Sequence, residues 1–222
     1  MGIIISLIIM LTWGAHLYYS LSSVPVSFKD PFMYLNILIQ AYLYTGLFIT
    51  AHDAMHGSIS PDKKINDLTG KISAFLFAGL SYKKLLRNHR DHHTYPGTGK
   101  DPDYYTGSRN FFVWWFVFMS RYISVLQLII MAVIFNVLKI YFPESSIWTY
   151  LVIPAFLSTL QLFYFGTYLP HRQPHTHDMQ PHNARTQKRN HFFAMISCYF
   201  FGYHSEHHSS PKTPWWKMYT LK

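Results

Sequence analysis

The chain has 222 residues, room for one domain with a substantial core, and only 13% of them are charged against about 25% in soluble domains. Its net charge of +9 is unevenly spread: nine Lys and Arg lie between Pro61 and Asn110, four between His171 and Asn190, and three after Pro211. That confinement to segments between apolar runs follows the positive-inside rule of membrane proteins and argues against a nucleic-acid partner, while the lone Cys198 excludes an intrachain disulfide and any CxxC metal site.

Half the residues are hydrophobic, yet mean hydropathy is only +0.05, because fourteen His and seventeen Tyr score as polar. Ile3 to Tyr19 is apolar, with His16 its sole titratable side chain of low pKa, and predicts a first transmembrane helix without the basic leader of a cleaved signal. Ser20 to Asp30, with Pro25, reads as a loop. Pro31 to Ala51 then runs uncharged for the roughly 20 residues a crossing needs. Leu68 to Tyr82 is apolar but short and interrupted by Gly70, Lys71 and Gly79, which predicts a re-entrant or interfacial helix.

Phe111 to Ile140 is too long for one straight crossing. It divides at Arg121 into an interfacial aromatic segment at Phe111–Trp115 and a transmembrane helix from Tyr122 to about Ile140. Pro143-Glu144-Ser145 turns the chain, and Ile147 to Leu169 crosses back, with a kink expected at Pro154. Gln173 to Asn190 is a polar loop whose His175, His177 and His182 lack helical spacing and read as solvated. Phe192 to Tyr203 predicts a short apolar helix carrying the last histidines at its end, and Pro211 to Lys222 an interfacial tail around Pro214-Trp215-Trp216. The fold expected is all-α: a single membrane-embedded domain over residues 1–222, a bundle of about four transmembrane helices plus re-entrant or interfacial ones.

Three histidine boxes stand out against this frame: His52-x-x-x-His56, His89-x-x-His92-His93 and His204-x-x-His207-His208. Residues three and four apart share a helix face, so each box aims its imidazoles one way. Eight imidazoles exceed the appetite of one tetrahedral site and predict two metals, though imidazole alone leaves zinc, copper, iron and nickel open. Counting crossings places all three boxes on one face of the membrane, the cytoplasmic one by the basic loops, and His171 lands there too. Metal or proton transport is a rival reading, but transport sites usually sit near the midplane and not at helix ends.

These boxes on a multi-span chain resemble the membrane fatty-acid desaturase and hydroxylase superfamily. Several stretches look specifically like its bacterial β-carotene ketolases: His52-Asp53-Ala54-Met55-His56-Gly57, Asp101-Pro102-Asp103, Phe165-Gly166-Thr167-Tyr168-Leu169-Pro170-His171-Arg172, Gly202-Tyr203-His204-Ser205-Glu206-His207-His208, and Pro214-Trp215-Trp216. The resemblance covers roughly residues 50 to 216, and the Phe165–Arg172 stretch discriminates most. It implies a non-haem centre of two ferrous ions at the cytoplasmic face of a bacterial inner or thylakoid membrane. It also implies O2 as co-substrate, electrons from reduced ferredoxin, and oxidation of C4 of a β-carotene ring to a ketone. His171 is implied as a ninth ligand. Its alternatives within the superfamily are a carotenoid 3-hydroxylase and a fatty-acyl desaturase, which the boxes do not separate.

Carboxylates beside metal-bound imidazoles normally orient them through N–H bonds. Asp53 and Glu206 are the candidates for that work inside the boxes, Asp91 reads as a surface charge, and Asp101 and Asp103 follow the second box.

Overall fold

The uncharged runs become the three long helices of the protein in a computed structural model that describes residues 1–222: α1 (Gly2–Ser23), α2 (Pro31–Met55) and α7 (Glu144–His171). At 1.5 Å per residue they are about 33–42 Å long, more than the ~30 Å of a hydrocarbon core. The start of α2 is fixed by Pro31 at the first helical position and by the Asp30 carboxylate, which accepts the Phe32 N–H at 2.9 Å.

α1 runs antiparallel to α2. Gly2 lies against Ile59, where a Cβ would come within 2.4 Å of a carbonyl oxygen, and at the other end His16 Nδ1 sits 2.6 Å from Gln40 Oε1. α7 runs parallel to α2. Tyr150 donates to the carbonyl of Pro25 just ahead of α2, and Thr45 and Ser158 share a hydrogen bond midway. Both helices therefore deliver their C-terminal histidines, His52 and His171, to the same end. Tyr44, Leu47, Ile49, Ile147 and Tyr150 belong to one buried apolar cluster that these helices share with Ile9, Leu17 and Leu21 of α1.

Two turns of α7 widen to π geometry, Trp148–Val152 and Tyr164–Tyr168, with Ile153 N–H reaching back to Trp148 and Leu169 N–H to Tyr164. Each lies immediately ahead of a proline, Pro154 or Pro170. A proline ring clashes with the carbonyl four residues back, and the wider turn relieves that clash. The expected kink at Pro154 is thus a π turn, and Pro170 has a second.

The short apolar run expected as one re-entrant or interfacial helix over Leu68–Tyr82 lies mostly in α3 (Lys63–Ala78), which starts earlier, and Tyr82 opens a separate helix, α4 (Tyr82–Thr94). Asp62 caps α3, Ser81 caps α4, and between them Gly79 takes φ +64°, a left-handed turn that suits glycine. At about 24 and 20 Å neither helix crosses a bilayer alone.

The next stretch differs from expectation. It breaks at Ile123-Ser124, not at Arg121, into α5 (Phe111–Tyr122) and α6 (Val125–Leu138), bent 91° from one another. The Tyr122–Ile140 crossing is replaced by a 14-residue helix of about 21 Å, so a fourth crossing exists only if the bent pair is counted as one. The cause is local: Arg121 donates to the carbonyls of Pro102 and Tyr104 and Tyr122 to Asp103, tethering the end of α5 to a loop, while Ser124 caps a new helix.

A second difference concerns the last box. α8 (His191–Cys198) stops at Tyr199 and Phe200, both left-handed with φ of +49° and +60°, and the histidines ride on a separate short helix, α9 (His204–Ser209). The tail is also docked more firmly than an interfacial anchor: the Trp215 N–H donates to Asp53 at 3.0 Å and its ring packs edge-on against Tyr199.

Candidate metal centre

Nine imidazoles converge from four helix segments. His52 comes from the last turn of α2 and His56 from its cap; His89, His92 and His93 lie on α4; His171 ends α7; His204, His207 and His208 lie on α9. They sort into two groups, His52–His56–His89–His207 and His92–His171–His204–His208, within each of which one nitrogen per ring lies within 4.8 Å of all the others. His93 stands where the groups meet, its Nε2 3.0 Å from that of His207 and its ring 4.3 Å from that of His208.

The nitrogen spacings test whether a metal fits. Nε2 atoms approach to 2.7 Å between His56 and His89, to 3.1 Å between His208 and both His92 and His204, and to 3.4 Å between His92 and His204. Two nitrogens each about 2.1 Å from a shared ion lie about 3.0–3.4 Å apart at octahedral or tetrahedral angles, a range that His92, His204 and His208 meet and that the His56–His89 pair falls short of. The Nε2 atoms of His52 and His171 are buried without any hydrogen-bond partner, as unbound ligand atoms would be. The donor set suits a first-row transition metal in each group.

Electrostatics agree. Burial pulls His89, His204, His207 and His208 far below the ordinary imidazole range, leaving neutral rings with free lone pairs at physiological pH. Burial acts the same way on His92, but the Asp101 carboxylate outweighs it and raises this ring's pKa. Asp101 is in turn kept ionised against burial by His92 and by the backbone N–H groups of Gly97 and Asp103.

The orienting groups differ from those expected inside the boxes. Asp53 Oδ1 is 3.6 Å from His52 Nδ1, outside hydrogen-bond reach, and its other oxygen takes the Trp215 N–H. Glu206 makes no hydrogen bond to any histidine; its Oε2 is buried and unpaired. Instead Asp101 accepts His92 Nδ1–H, with both oxygens at 3.0 Å, and the Asn183 carbonyl accepts His171 Nδ1–H at 2.9 Å. The Asp-Pro-Asp turn nine residues after His92 was the signal for the first of these; a backbone acceptor leaves no signal at all. Asp91 is exposed, as read. His175 and His182 lie nearby, His175 bonded to the His171 carbonyl and His182 with its ring 5.4 Å from that of His208, but neither joins a group.

One cavity of about 870 Å³, including its mouth, opens onto both groups. His52 and His89 of the first and His92 and His204 of the second line it; Phe48, Phe77, Leu85, Phe118, Leu162 and Phe201 make much of the remainder apolar.

The sequence profile of the Fatty acid desaturase family matches residues 31–141 and 120–222. The chain belongs to that family. It is 38% identical over 191 residues to Beta-carotene 4-ketolase 3 of Haematococcus lacustris, covering 82% of this chain and 59% of that protein. It is 37% identical over 188 residues to Beta-carotene ketolase of Paracoccus sp. (strain N81106 / MBIC 01143), covering 82% and 76%. With Zeaxanthin 4-ketolase of Chlamydomonas reinhardtii the figures are 38% over 182 residues, 80% and 41%. The chain thus spans less than two thirds of the length of these algal relatives.

Proposed function

We propose that the chain is a carotenoid C4 ketolase, with residues 1–222 as one membrane-embedded domain and a di-iron centre on the cytoplasmic side. The observation that carries this reading is the two-group imidazole cluster lining a largely apolar cavity. The names of the relatives supply the substrate class, a ring-ended polyene. The first iron would be held by His52, His56, His89 and His207, with His93 completing its shell, and the second by His92, His171, His204 and His208. An all-imidazole shell is neutral, and iron, unlike zinc, supplies the O2-dependent redox chemistry that attack on an unstrained C–H bond requires.

The protein's own part is positioning and exclusion. The cavity's aromatic walls keep water from the reacting carbon, and Asp101 holds His92 in one tautomer and orientation. Each hydroxylation at C4 consumes O2, two electrons and two protons and releases water. A second at the same carbon gives a gem-diol, which loses water to leave the ketone. The electrons come from a reduced ferredoxin-type carrier. The cytoplasmic assignment rests on Lys63, Lys64, Arg87, Arg90 and Lys100 in the segments that flank the centre.

Expression in a β-carotene-accumulating bacterium tests the function. A shift from yellow-orange to red pigment with added carbonyl mass is expected. Unchanged carotenoid with altered lipid unsaturation would make the chain a desaturase instead, and a C3 alcohol would make it a 3-hydroxylase.

A further inference from the structure

Thr167 has a hydroxyl without a partner. The other buried or half-buried helical threonines, Thr45, Thr50, Thr69, Thr149 and Thr159, each donate to a carbonyl three or four residues back. Thr167 sits in the π turn Tyr164–Tyr168, is 5% exposed, and makes no hydrogen bond within the protein. It lines the cavity together with His52, His89, His92 and His204, about one turn ahead of His171 on α7. Among the other polar groups that share the cavity, Tyr122 donates to Asp103, Thr159 to Phe156, and Gln127 gives its amide N–H to Ala78, leaving its buried Oε1 as an acceptor only.

We propose that Thr167 binds the C4 hydroxyl of the once-oxidised ring and so sets the remaining C4–H for the second hydroxylation. The inference rests on the C4 ketolase reading. The first hydroxylation acts on a methylene that offers nothing to a threonine. Its product is an alcohol, and an alcohol in an apolar cavity is disfavoured unless its hydroxyl finds a partner. A free threonine hydroxyl in the cavity, one turn ahead of His171, supplies one and fixes which C4 substituent faces the imidazoles. The step needs nothing beyond the O2, electrons and protons of the parent reaction.

The test is the ratio of C4 alcohol to C4 ketone in pigment extracts from a β-carotene-accumulating bacterium expressing the wild-type protein or its Thr167→Ser, Thr167→Val or Thr167→Ala variant. The ratio is internal to each extract, so it does not depend on how much enzyme accumulates. The isosteric Val and the smaller Ala variant should raise it about tenfold while C4 oxygenation continues, and Ser should match the wild type. Wild-type ratios in Val and Ala, a raised ratio in Ser, or loss of alcohol and ketone together in both hydroxyl-free variants would overturn the assignment. A wild-type protein that yields no C4-oxygenated carotenoid would instead reject the ketolase reading beneath it.

Discussion

His92 stands with its Nδ1 3.0 Å from both carboxylate oxygens of Asp101 while its Nε2 lies 3.1 Å from that of His208. One ring is thus held from behind by a buried charge and faces a convergence of lone pairs in front. Asp101→Asn keeps the shape and removes the charge. It should lower iron affinity or turnover by about 10–100-fold, the usual cost of losing such a partner. Glu206→Gln, at a residue with no hydrogen bond to any histidine, should leave both nearly unchanged. Iron per chain and pigment conversion measured on the two variants decide which carboxylate serves the centre.

The division into two groups predicts separate losses. His89→Ala takes a proposed ligand from one group and His204→Ala from the other. On the proposed di-iron reading each should drop iron from two ions per chain toward one and abolish ketone formation. Metal analysis of purified protein reads the outcome. An inactive variant that retains both ions would remove that residue from the ligand set.

How much of this was legible depends on the range of each interaction. His52, His56, His89, His92 and His93 could be found from spacing because a helix converts a three- or four-residue interval into a shared face, and α2 and α4 obey it. His171 has no such interval; only the parity of crossings and the Phe165–Arg172 stretch pointed to it. The α5–α6 bend escaped hydropathy because its cause is tertiary, the tether of Arg121 and Tyr122 to the Pro102–Tyr104 loop. Asp53 neighbours His52 in the sequence, but adjacent helical residues point about 100° apart, and its carboxylate accepts the Trp215 N–H, a contact across 162 residues that no local spacing signals.

That contact gives Asp53 a different experiment. Asp53→Ala leaves the Trp215 N–H unpaired in a partly buried place, at a cost of about 1–3 kcal/mol for an unsatisfied buried donor. The tail from Pro211 should open about 5–150-fold more often, and trypsin should cut at Lys212 and Lys217 correspondingly faster. Turnover should fall by more than membrane accumulation does, since the tail that Asp53 holds lines one pocket with His52 and His207. Wild-type proteolysis together with wild-type turnover would make it a bystander.

Gly166 controls the width of the cavity. A Cβ built there would lie 2.0 Å from Cε1 of Phe201, and that ring packs 5.0 Å from His52 and 5.6 Å from His204. The backbone of α7 has little freedom to retreat at this point, because the π turn ahead of Pro170 fixes it. Gly166→Ala should therefore push Phe201 into the space that the substrate ring would occupy, with an overpacking cost of about 1–3 kcal/mol. Both irons should remain, since no imidazole is removed, while turnover falls at least about tenfold, the equivalent of 1.4 kcal/mol. Adding Phe201→Leu to the same chain shortens the displaced side chain and should recover part of the loss. Iron content and pigment conversion across the single and double variants separate a blocked cavity from a damaged metal centre, for only a blocked cavity combines full iron with rescue.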